Sequence, residues 1–244
     1  MSSLSIVIPV YNEEKVLEKN VKAYVRYLEK LKLDGILDDY EIILYENGSS
    51  DNTFEAAQMI ASETNNIRAF NSAHRGLGYA TRLGMCAAGM QYATVCAIDM
   101  GCDIGFIRKA LRNIMLHPSY QVIIGSRNLP ESKSSRPWFR TLLSKGYTAL
   151  INLLYGTDFS DVGAARLYET SLAKRIFETT KADDAFIEVE VSMIIKNSSI
   201  RTMEIPISHN EMDVARHPAY FIGMIFSDAW RVFSNYSSLR RKSV

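Results

Sequence analysis

The sequence predicts an α/β fold with a mostly parallel central sheet flanked by helices, in one main domain. Strand-like apolar runs and amphipathic helical segments alternate four or five times along the first half of the chain, and this order implies parallel strands joined by right-handed crossovers. The first run, LSIVIPV, is uniformly apolar and rich in β-branched residues, as expected for a strand buried on both faces. A chain of 244 residues can bury one sizeable core.

The predicted elements follow one another with short connections. After LSIVIPV comes a helix whose apolar residues are spaced alternately by four and three, namely Leu17, Val21, Tyr24, Leu28 and Leu31. Further strands are predicted at YEIILYE, IRAFN, ATVCAID and YQVIIGS, with helices at NTFEAAQMIASE, GYATRLGMCAAGM and FIRKALRNIML. The second half is predicted to hold a long helix, WFRTLLSKGYTALINLLYG, a turn-rich link, DFSDVGAARLY, two helices, TSLAKRIFET and AFIEVEVSMIIK, a strand, IRTMEIPIS, and an aromatic helix, AYFIGMIFSDAWRVFSNY.

Charge and cysteine content argue against several classes of protein. The 28 Lys and Arg residues nearly balance the 27 Asp and Glu residues, so no global basic field indicates a nucleic-acid-binding protein. Cys86, Cys96 and Cys102 lack the paired spacing of a zinc site or a disulfide framework. The N-terminus has no signal-peptide pattern, and AYFIGMIF is far shorter than the roughly 20 residues that span a bilayer. We therefore expect a cytoplasmic protein without a membrane span.

Polar residues collect where the predicted strands end. These positions are Tyr11 to Glu14, Glu46 to Asp51, Asp99 to Asp103, and Ser126 with Arg127. In parallel sheets, ligands bind outside the carboxyl ends of the strands. The glycines of HRGLGYATRLG do not fit a dinucleotide fingerprint, because the third is misplaced and the motif follows the third strand. They instead favour a loop that closely approaches a ligand or a strand.

Two of these segments are candidates for binding a charged ligand. ENGSSDNT follows a strand and opens a helix, so its amides either cap that helix or face an anion. AIDMGCDIG places Asp99 and Asp103 where an apolar strand ends, with Gly101 supplying a bend. The two carboxylates either converge on a hard divalent cation or are surface acids that cap the next helix.

The motifs, taken in order, resemble the inverting nucleotide-sugar glycosyltransferases of family 2, which have the GT-A fold. SIVIPVYNEE, ENGSSDNT, HRGLGYATRLG and the acid cluster carry this general resemblance. VIIGSR, RTLLSKG, SDVGAARLY and FIEVEVSMIIK followed by EIPIS are similar to polyprenyl-phosphate sugar synthases of the dolichyl-phosphate mannose or glucose group. The resemblance implies a GT-A domain at residues 1–217 and leaves 218–244 as a C-terminal amphipathic helix with a basic tail.

The resemblance implies a site for the nucleotide-sugar donor, with predicted contacts from Pro9, Tyr11, Glu13, Tyr45, Asn47, Asp51, Gly78, Asp99, Met100 and Gly101. It also implies an acidic D-x-D motif that binds Mg²⁺ or Mn²⁺ on the diphosphate. Asp99 matches the first acid of this motif, whereas Gly101 replaces the second. We hypothesise that Asp103 restores the missing carboxylate. Asp99 and Asp103 are therefore the predicted metal ligands and, with Arg127, the predicted catalytic residues.

The resemblance further implies a site for the phosphate of the acceptor, predicted at Arg127, Arg140, Ser144, Arg166 and Arg216. Arginine suits this role because its planar guanidinium binds phosphate oxygens in two directions. A lipid phosphate is already ionised near neutral pH and needs no strong general base, so Asp161 is expected to organise the acceptor loop. If the acceptor were a sugar hydroxyl, a base would be required and Asp161 would be the leading candidate.

The predicted function is transfer of mannose or glucose from GDP-mannose or UDP-glucose to a polyprenyl phosphate, with inversion. One alternative is a family 2 enzyme that acts on a sugar hydroxyl of a glycan or glycolipid. Another, motivated by Gly101, is a non-catalytic nucleotide-sugar-binding module.

Two aromatic helices suggest a further partner. Trp138 and Phe139 begin one of them, and Trp230 lies in the other, which the basic residues Arg240, Arg241 and Lys242 follow. Such helices either lie on a membrane surface or form a core or homodimer face.

Overall fold

The computed structural model describes residues 2–99, 104–134, 137–209, 230–231, 234 and 242–244, without the side chains of Ser134, Arg140 and His209. The strands are β1 (Ser3–Val10), β2 (Asp39–Asn47), β3 (Ile67–Ser72), β4 (Tyr92–Val95), β5 (Val122–Ser126), β6 (Lys133–Ser134), β7 (Ala165–Glu169), β8 (Thr202–Pro206) and β9 (Ser208–His209). The helices are α1 (Glu14–Leu33), α2 (Thr53–Glu63), α3 (Leu77–Ala87), α4 (Gly105–Leu116), α5 (Trp138–Tyr155), α6 (Thr170–Thr179) and α7 (Ile187–Asn197).

The central sheet has seven strands in the order β3-β2-β1-β4-β7-β5-β8. All neighbouring pairs are parallel except those of β7, which runs antiparallel to both β4 and β5. The prediction of a mostly parallel sheet flanked by helices is therefore confirmed. A separate small sheet pairs β6 with β9 in parallel.

The strand β7 corrects the prediction that DFSDVGAARLY is only a turn-rich link. Its residues Ala165 to Glu169 lie in the middle of the sheet, between β4 and β5. The segment was missed because Arg166 interrupts its apolar pattern, although this arginine is buried in the fold. A charged residue can occupy such a position only when its guanidinium finds partners, and those partners are distant in the sequence.

Two hydrophobic clusters lie on opposite faces of the sheet. Ile6 and Ile8 of β1 pack in one cluster with α1 and α4, whereas Val7 packs in the other with α3, α6 and α7. Because successive strand side chains point to opposite faces, LSIVIPV must be apolar at nearly every position. The five apolar residues predicted for the core face of α1 are all buried, which confirms the periodicity of that helix.

The strand β4 ends earlier than predicted. ATVCAID was expected to remain extended to Asp99, but β4 ends at Val95. The amide of Cys96 still donates to the carbonyl of Val7 at 2.9 Å, after which the chain leaves the sheet. Residues 96–99 are thereby placed beside the ends of the neighbouring strands.

The C-terminal part is described only in pieces. The predicted domain boundary at residue 217 lies outside the described residues, as does most of the aromatic helix, although Trp230, Arg231 and Ser234 are helical. Within the ranges that the structure does describe, no helix combines the length and the hydropathy needed to cross a bilayer.

Candidate functional site

An open cavity of about 580 Å³ lies at the carboxyl ends of β1, β2 and β4. Because β7 is antiparallel, its amino end opens onto the same rim and contributes Ala165 and Arg166. Six of the site residues predicted from the sequence line this cavity: Pro9, Tyr11, Glu13, Asn47, Asp99 and Arg166. The fold thus brings together five predicted donor-site residues and one predicted acceptor-site residue, Arg166, from several distant segments.

A second cavity, of about 630 Å³, lies at the opposite edge of the sheet, at the amino end of β4. It is lined by residues such as Gln91, Tyr92, Glu169 and Lys174, and by none of the predicted site residues. Ligands of parallel sheets bind at the carboxyl ends of the strands. We therefore identify the smaller cavity as the candidate site.

The loops that follow β1 and β2 are held together by hydrogen bonds. The amide of Asn12 donates to the hydroxyl of Ser49 at 3.0 Å, and its side-chain oxygen accepts from the amide of Ser50 at 2.8 Å. The amide of Glu13 donates to the hydroxyl of Thr53 at 2.8 Å. Asn12 has a φ of 55°, a left-handed conformation that asparagine tolerates better than most residues. This network fixes the rim on which Tyr11 and Glu13 lie.

Asp51 is part of this network and does not line the cavity. Its carboxylate accepts from the amide of Thr53 at 3.1 Å and also from the hydroxyl of that residue. The hydrogen bond from the hydroxyl lowers the pKa of Asp51 below its ordinary value. The carboxylate shapes the start of α2, and its predicted contact with the nucleoside stays a prediction.

Asn47 and Arg166 carry buried polar atoms without partners. Asn47 is 5% exposed, lines the cavity, and its side-chain oxygen has no hydrogen-bond partner. The Nε atom of Arg166 is buried and unpartnered as well. Buried polar groups are nearly always hydrogen-bonded, and leaving one unsatisfied costs about 1–3 kcal/mol. Two such atoms beside one cavity indicate positions that a polar ligand completes.

Tyr11 and Arg75 form a flat wall of the cavity. The guanidinium of Arg75 lies 4.3 Å from the centre of the Tyr11 ring, which is within the range of a cation–π contact. Arg75 is not among the residues predicted from the sequence, although it directly precedes the first glycine of HRGLGYATRLG. Tyr45 was predicted to contact the donor, but it is buried and stacks on Phe70 with ring centres 6.0 Å apart. It supports the sheet and does not line the cavity.

The acidic side chains of the site lie close enough to interact. Burial raises the pKa of Glu13, and the negative charges of Asp99 and Asp51 raise it further. Carboxylate oxygens are the ligands that Mg²⁺ and Mn²⁺ prefer, and a cation would offset the repulsion between the carboxylates. The side chains of Glu13 and Asp99 therefore fit such an ion. The described residues contain no cluster of three or more His, Cys, Asp or Glu side chains able to hold a metal. Asp103, Met100 and Gly101 lie outside them.

Arg166 lines the cavity but is bound within the protein. Its Nη2 atom donates to the carbonyl of Val162 at 2.6 Å and to the hydroxyl of Ser192 at 2.7 Å, and Nη1 pairs with Glu188. Glu188 also lines the cavity and was not selected from the sequence. The guanidinium of Arg166 was predicted to bind the acceptor phosphate. Of its nitrogen atoms, only Nε has no hydrogen-bond partner within the protein.

Arg127 is likewise bound within the protein, and its predicted contact with the acceptor phosphate stays a prediction. Its Nε and Nη2 atoms bind the two carboxylate oxygens of Asp161 at 2.6 and 2.7 Å, and Nη2 also donates to the carbonyl of Gly163 at 2.7 Å. Asp161 is only 1% exposed. Arg127 does not line the cavity. The pair instead fixes the loop at residues 160–163, which leads to the cavity wall.

The remaining acceptor residues are not assembled at the cavity. Ser144 is half-buried on α5 and does not line it. Arg140 lies on the same helix, but its side chain is outside the description, as is the whole of Arg216. Their predicted contacts with a phosphate stay predictions.

Gly78 is buried against another part of the chain. Its amide donates to the carbonyl of Asp183 at 2.9 Å. A side chain there would place its Cβ 2.5 Å from the carbonyl oxygens of Ala182 and Asp184. The close approach at Gly78 is to the segment before α7 and not to a strand, and the predicted contact of Gly78 with the donor stays a prediction.

Several known proteins are similar to this chain in sequence. The chain is 26% identical over 218 residues to dolichyl-phosphate beta-glucosyltransferase ALG5D of Trichomonas vaginalis, which covers 86% of this chain and 66% of that protein. It is 28% identical over 220 residues to the dolichyl-phosphate beta-glucosyltransferase of Homo sapiens, covering 86% and 68%. Glycosyltransferase AglD of Haloferax volcanii is 25% identical over 206 residues, covering 84% and 32%. The chain thus spans at most about two thirds of the length of these relatives.

Solved structures share the fold. Glucosyl-3-phosphoglycerate synthase of Mycobacterium tuberculosis superposes with a TM-score of 0.64 and 16% identity, covering 98% of this chain and 80% of that one. The same enzyme with Mn²⁺, UDP-glucose and phosphoglyceric acid gives a TM-score of 0.61 at 15% identity, with the same coverage. At these identities the likeness concerns the fold alone, and it confirms the predicted GT-A type. The profile of the family described as glycosyl transferase family 2 matches residues 5–177, and the chain therefore belongs to that family.

Proposed function

We propose that the chain is a metal-dependent, inverting hexosyltransferase that moves glucose from a nucleotide sugar to a polyprenyl phosphate such as dolichyl phosphate. The observation that carries this proposal is the cavity that Asn47, Asp99 and the buried Arg166 line together, with an unpartnered polar atom in each of Asn47 and Arg166. Relatives named dolichyl-phosphate beta-glucosyltransferase favour glucose over mannose and a lipid phosphate over other acceptors.

The nucleotide is placed by the part of the cavity that β1 and β2 form. The oxygen of Asn47 accepts a hydrogen bond from a base N–H, which both uracil and guanine offer. The flat wall of Tyr11 and Arg75 provides a ring face and a positive charge for the rest of the nucleotide. UDP-glucose is the first donor to test, because a solved structure with this fold holds it.

The residues that would hold a divalent cation are Asp99 and, as the sequence predicts, Asp103. When bound, such an ion supplies positive charge for the diphosphate that leaves. Glu13 contributes a third carboxylate close to Asp99, which increases the negative potential at this end of the cavity. Titration of Mn²⁺ into Asp103→Asn tests whether Asp103 compensates for Gly101, and binding identical to that of the unaltered protein would contradict it.

The acceptor is a phosphate rather than a hydroxyl in this proposal. An ionised phosphate oxygen forms the new bond to the anomeric carbon from one side, while the bond to the nucleoside diphosphate breaks on the other, which inverts the configuration. No proton has to be removed. A hydroxyl acceptor would need a general base, and Asp161 is poorly suited to that role because it is buried and bound to both Nε and Nη2 of Arg127.

Contact with a membrane surface is part of the proposal, on the cytoplasmic side. Trp138, Leu142 and Leu153 lie along one face of α5 and are 76%, 63% and 81% exposed. An apolar helix face of this kind can lie in the interface of a bilayer, where the lipid chain of a polyprenyl phosphate resides. Flotation with anionic liposomes should carry the protein upward, and a protein that stays at the bottom of the gradient speaks against membrane contact.

Product analysis tests the proposed reaction. The purified protein is incubated with Mn²⁺ and either UDP-glucose or GDP-mannose, together with dolichyl phosphate, dolichol or a glycan acceptor. We expect a dolichyl-phosphate hexose, formed from UDP-glucose and only with the phosphorylated lipid. Transfer to a hydroxyl acceptor would support the alternative family 2 activity. Donor binding without transfer to any acceptor would support a non-catalytic binding module.

A further inference from the structure

The buried carboxylate of Glu190 joins the C-terminal residues to the segment that precedes α7. Its Oε2 atom accepts from the amides of Lys181 and Ala182 at 2.7 and 2.8 Å, and Oε1 accepts from Nζ of Lys242 at 2.6 Å. The two side chains are only 6% and 10% exposed. A buried charge is strongly unfavourable unless it is paired and hydrogen-bonded. Lys242 and the amides together satisfy this carboxylate.

Lys242 is itself held in place by its backbone. The side-chain amide of Asn197 donates to the carbonyl of Lys242 at 2.8 Å. Two residues later, the amide of Val244 donates to the hydroxyl of Ser198 at 2.9 Å. Residues 242–244 are therefore docked along the end of α7, and the ammonium group enters the protein from a fixed position.

The segment at residues 181–184 packs closely on the glycine loop, defined as residues 74–82, which includes the first turns of α3. Gly78 donates to the carbonyl of Asp183 at 2.9 Å. Arg82 donates from Nη2 to the carboxylate of Asp183 at 2.8 Å and from Nη1 to the carbonyl of Ala182 at 3.2 Å. The absence of a side chain at Gly78 is what permits this contact. A shift of the segment would therefore be transmitted to the glycine loop.

Residues on both sides of this contact form the cavity. Arg75 and Leu77 belong to the glycine loop, whereas Ala185 and Glu188 follow the 181–184 segment, and all of them line the cavity. The carboxylate of Glu190 fixes the segment by accepting from the amides of Lys181 and Ala182, and Lys242 neutralises that carboxylate. Glu190 and Lys242 do not themselves line the cavity, but they hold the segment that leads to one of its walls.

We infer that Lys242 is a positioning residue for the candidate site: by pairing with Glu190 it holds the 181–184 segment against the glycine loop and so sets the spacing of the cavity walls. This inference rests on the proposed function in so far as the cavity binds the nucleotide sugar. A structural link of this kind predicts a change in donor affinity, because the group transfer itself uses residues elsewhere in the cavity.

Steady-state kinetics with two variants and one matched control test the inference. Lys242→Met leaves Glu190 buried without its cation, and we expect the KM for UDP-glucose to rise about tenfold with kcat within about twofold. Lys242→Arg keeps the charge and should restore the KM to within about threefold. Lys196→Met serves as the control, since Lys196 lies on α7, the helix that carries Glu190, but forms an exposed pair with Asp158 at 3.7 Å. An unchanged KM in Lys242→Met would overturn the inference.

Hydrogen exchange gives a second reading that does not depend on activity. In Lys242→Met the amides of residues 74–84 and 181–186 should exchange about tenfold faster than in the unaltered protein, while those of β1 and β2 keep their rates. Acceleration confined to the C-terminal residues, or present equally in Lys196→Met, would contradict the inference. If the unaltered protein binds no nucleotide sugar, the proposed function fails, whereas the exchange result still decides whether Lys242 positions the segment.

Discussion

Glu41 and Glu13 are carboxylic acids at opposite edges of the same sheet, and their surroundings shift their pKa values in opposite directions. Burial raises the pKa of Glu41, but hydrogen bonds from Ser5, the Gly89 amide and Arg68 lower it more, so that the net pKa is below the ordinary value of 4.5. At Glu13, burial raises the pKa, and the charges of Asp99 and Asp51 raise it further.

The contrast shows how one sheet separates stability from ligand binding. At the amino ends of the strands, Glu41 accepts from Ser5 at 2.7 Å, from Gly89 at 2.6 Å and from Arg68 at 3.0 Å. Such a satisfied network stabilises the folded chain. At the carboxyl ends, like charges crowd together and Asn47 has an unpartnered oxygen. Departures of this kind cost stability and, together with the predicted site residues that line the cavity, favour this edge as the place where a ligand binds.

The largest effect should follow from Asp99→Asn, which removes a charge from the unsatisfied edge. We expect hexose transfer to fall by about 100-fold or more, because stabilisation of the leaving diphosphate depends on this carboxylate. The midpoint of thermal unfolding should stay the same, since Asp99 lies at the exposed rim. Turnover and thermal unfolding are measured in parallel, with Asp158→Asn as the control. Retention of most of the activity would show that Asp99 is not part of the active site.

Glu41→Gln should show the reverse behaviour at the satisfied edge. We expect the free energy of unfolding to fall by about 2 kcal/mol, because three donors lose a charged acceptor, and kcat to stay unchanged. The folded pKa is lowered, so the stabilisation is present above the ordinary value of 4.5 and is lost as the pH falls through the folded pKa.

Denaturant unfolding from neutral pH to acidic pH measures this dependence. The difference between Glu41→Gln and the unaltered protein should be largest near neutrality and shrink below the ordinary pKa of 4.5. Glu18→Gln, on the exposed face of α1, should leave stability unchanged. A difference that is constant with pH would show that the network acts by packing and not by charge.

Asn47→Leu should lower donor affinity by about tenfold with little change in stability. The substitution keeps the branched shape of the side chain and removes a buried oxygen that has no partner, which offsets the cost of fitting the larger methyl groups. Isothermal titration with UDP-glucose and Mn²⁺ measures the affinity. Asn113→Leu on α4, which does not line the cavity, is the control. A clear loss of stability with unchanged affinity would assign Asn47 to the structural edge.

The smallest effect is expected for Arg68→Met. Arg68 binds Glu41 but its side chain is 44% exposed, and solvent screens exposed pairs so that they contribute only about 0.5 kcal/mol. The amide of Gly89 and the hydroxyl of Ser5 still satisfy Glu41. Thermal unfolding should therefore show a decrease well below that of Glu41→Gln. An equal decrease would mean that the ion pair, and not the set of hydrogen bonds, stabilises this edge.

The sequence by itself determined the elements whose pattern is local. The alternating spacing of apolar residues predicted α1, and the uniform apolar run predicted β1, because burial on one face or on both is written into consecutive residues. The sequence also predicted that Asn47 and Asp99 lie at the same edge of the sheet, because the carboxyl ends of parallel strands meet there. These predictions needed no knowledge of which segments touch.

Only the tertiary structure decided which polar side chains are used within the protein. Arg127 is bound by Asp161 and Arg166 by Glu188, partners that lie 34 and 22 residues away, and Asp51 shapes its own loop. The sequence did not predict the strand β7, because a buried arginine such as Arg166 is acceptable there only with its distant partner Glu188. A carboxylate or guanidinium has the same appearance in the sequence whether it meets a ligand or another side chain. Its role is decided by the long-range contacts that remove it from water.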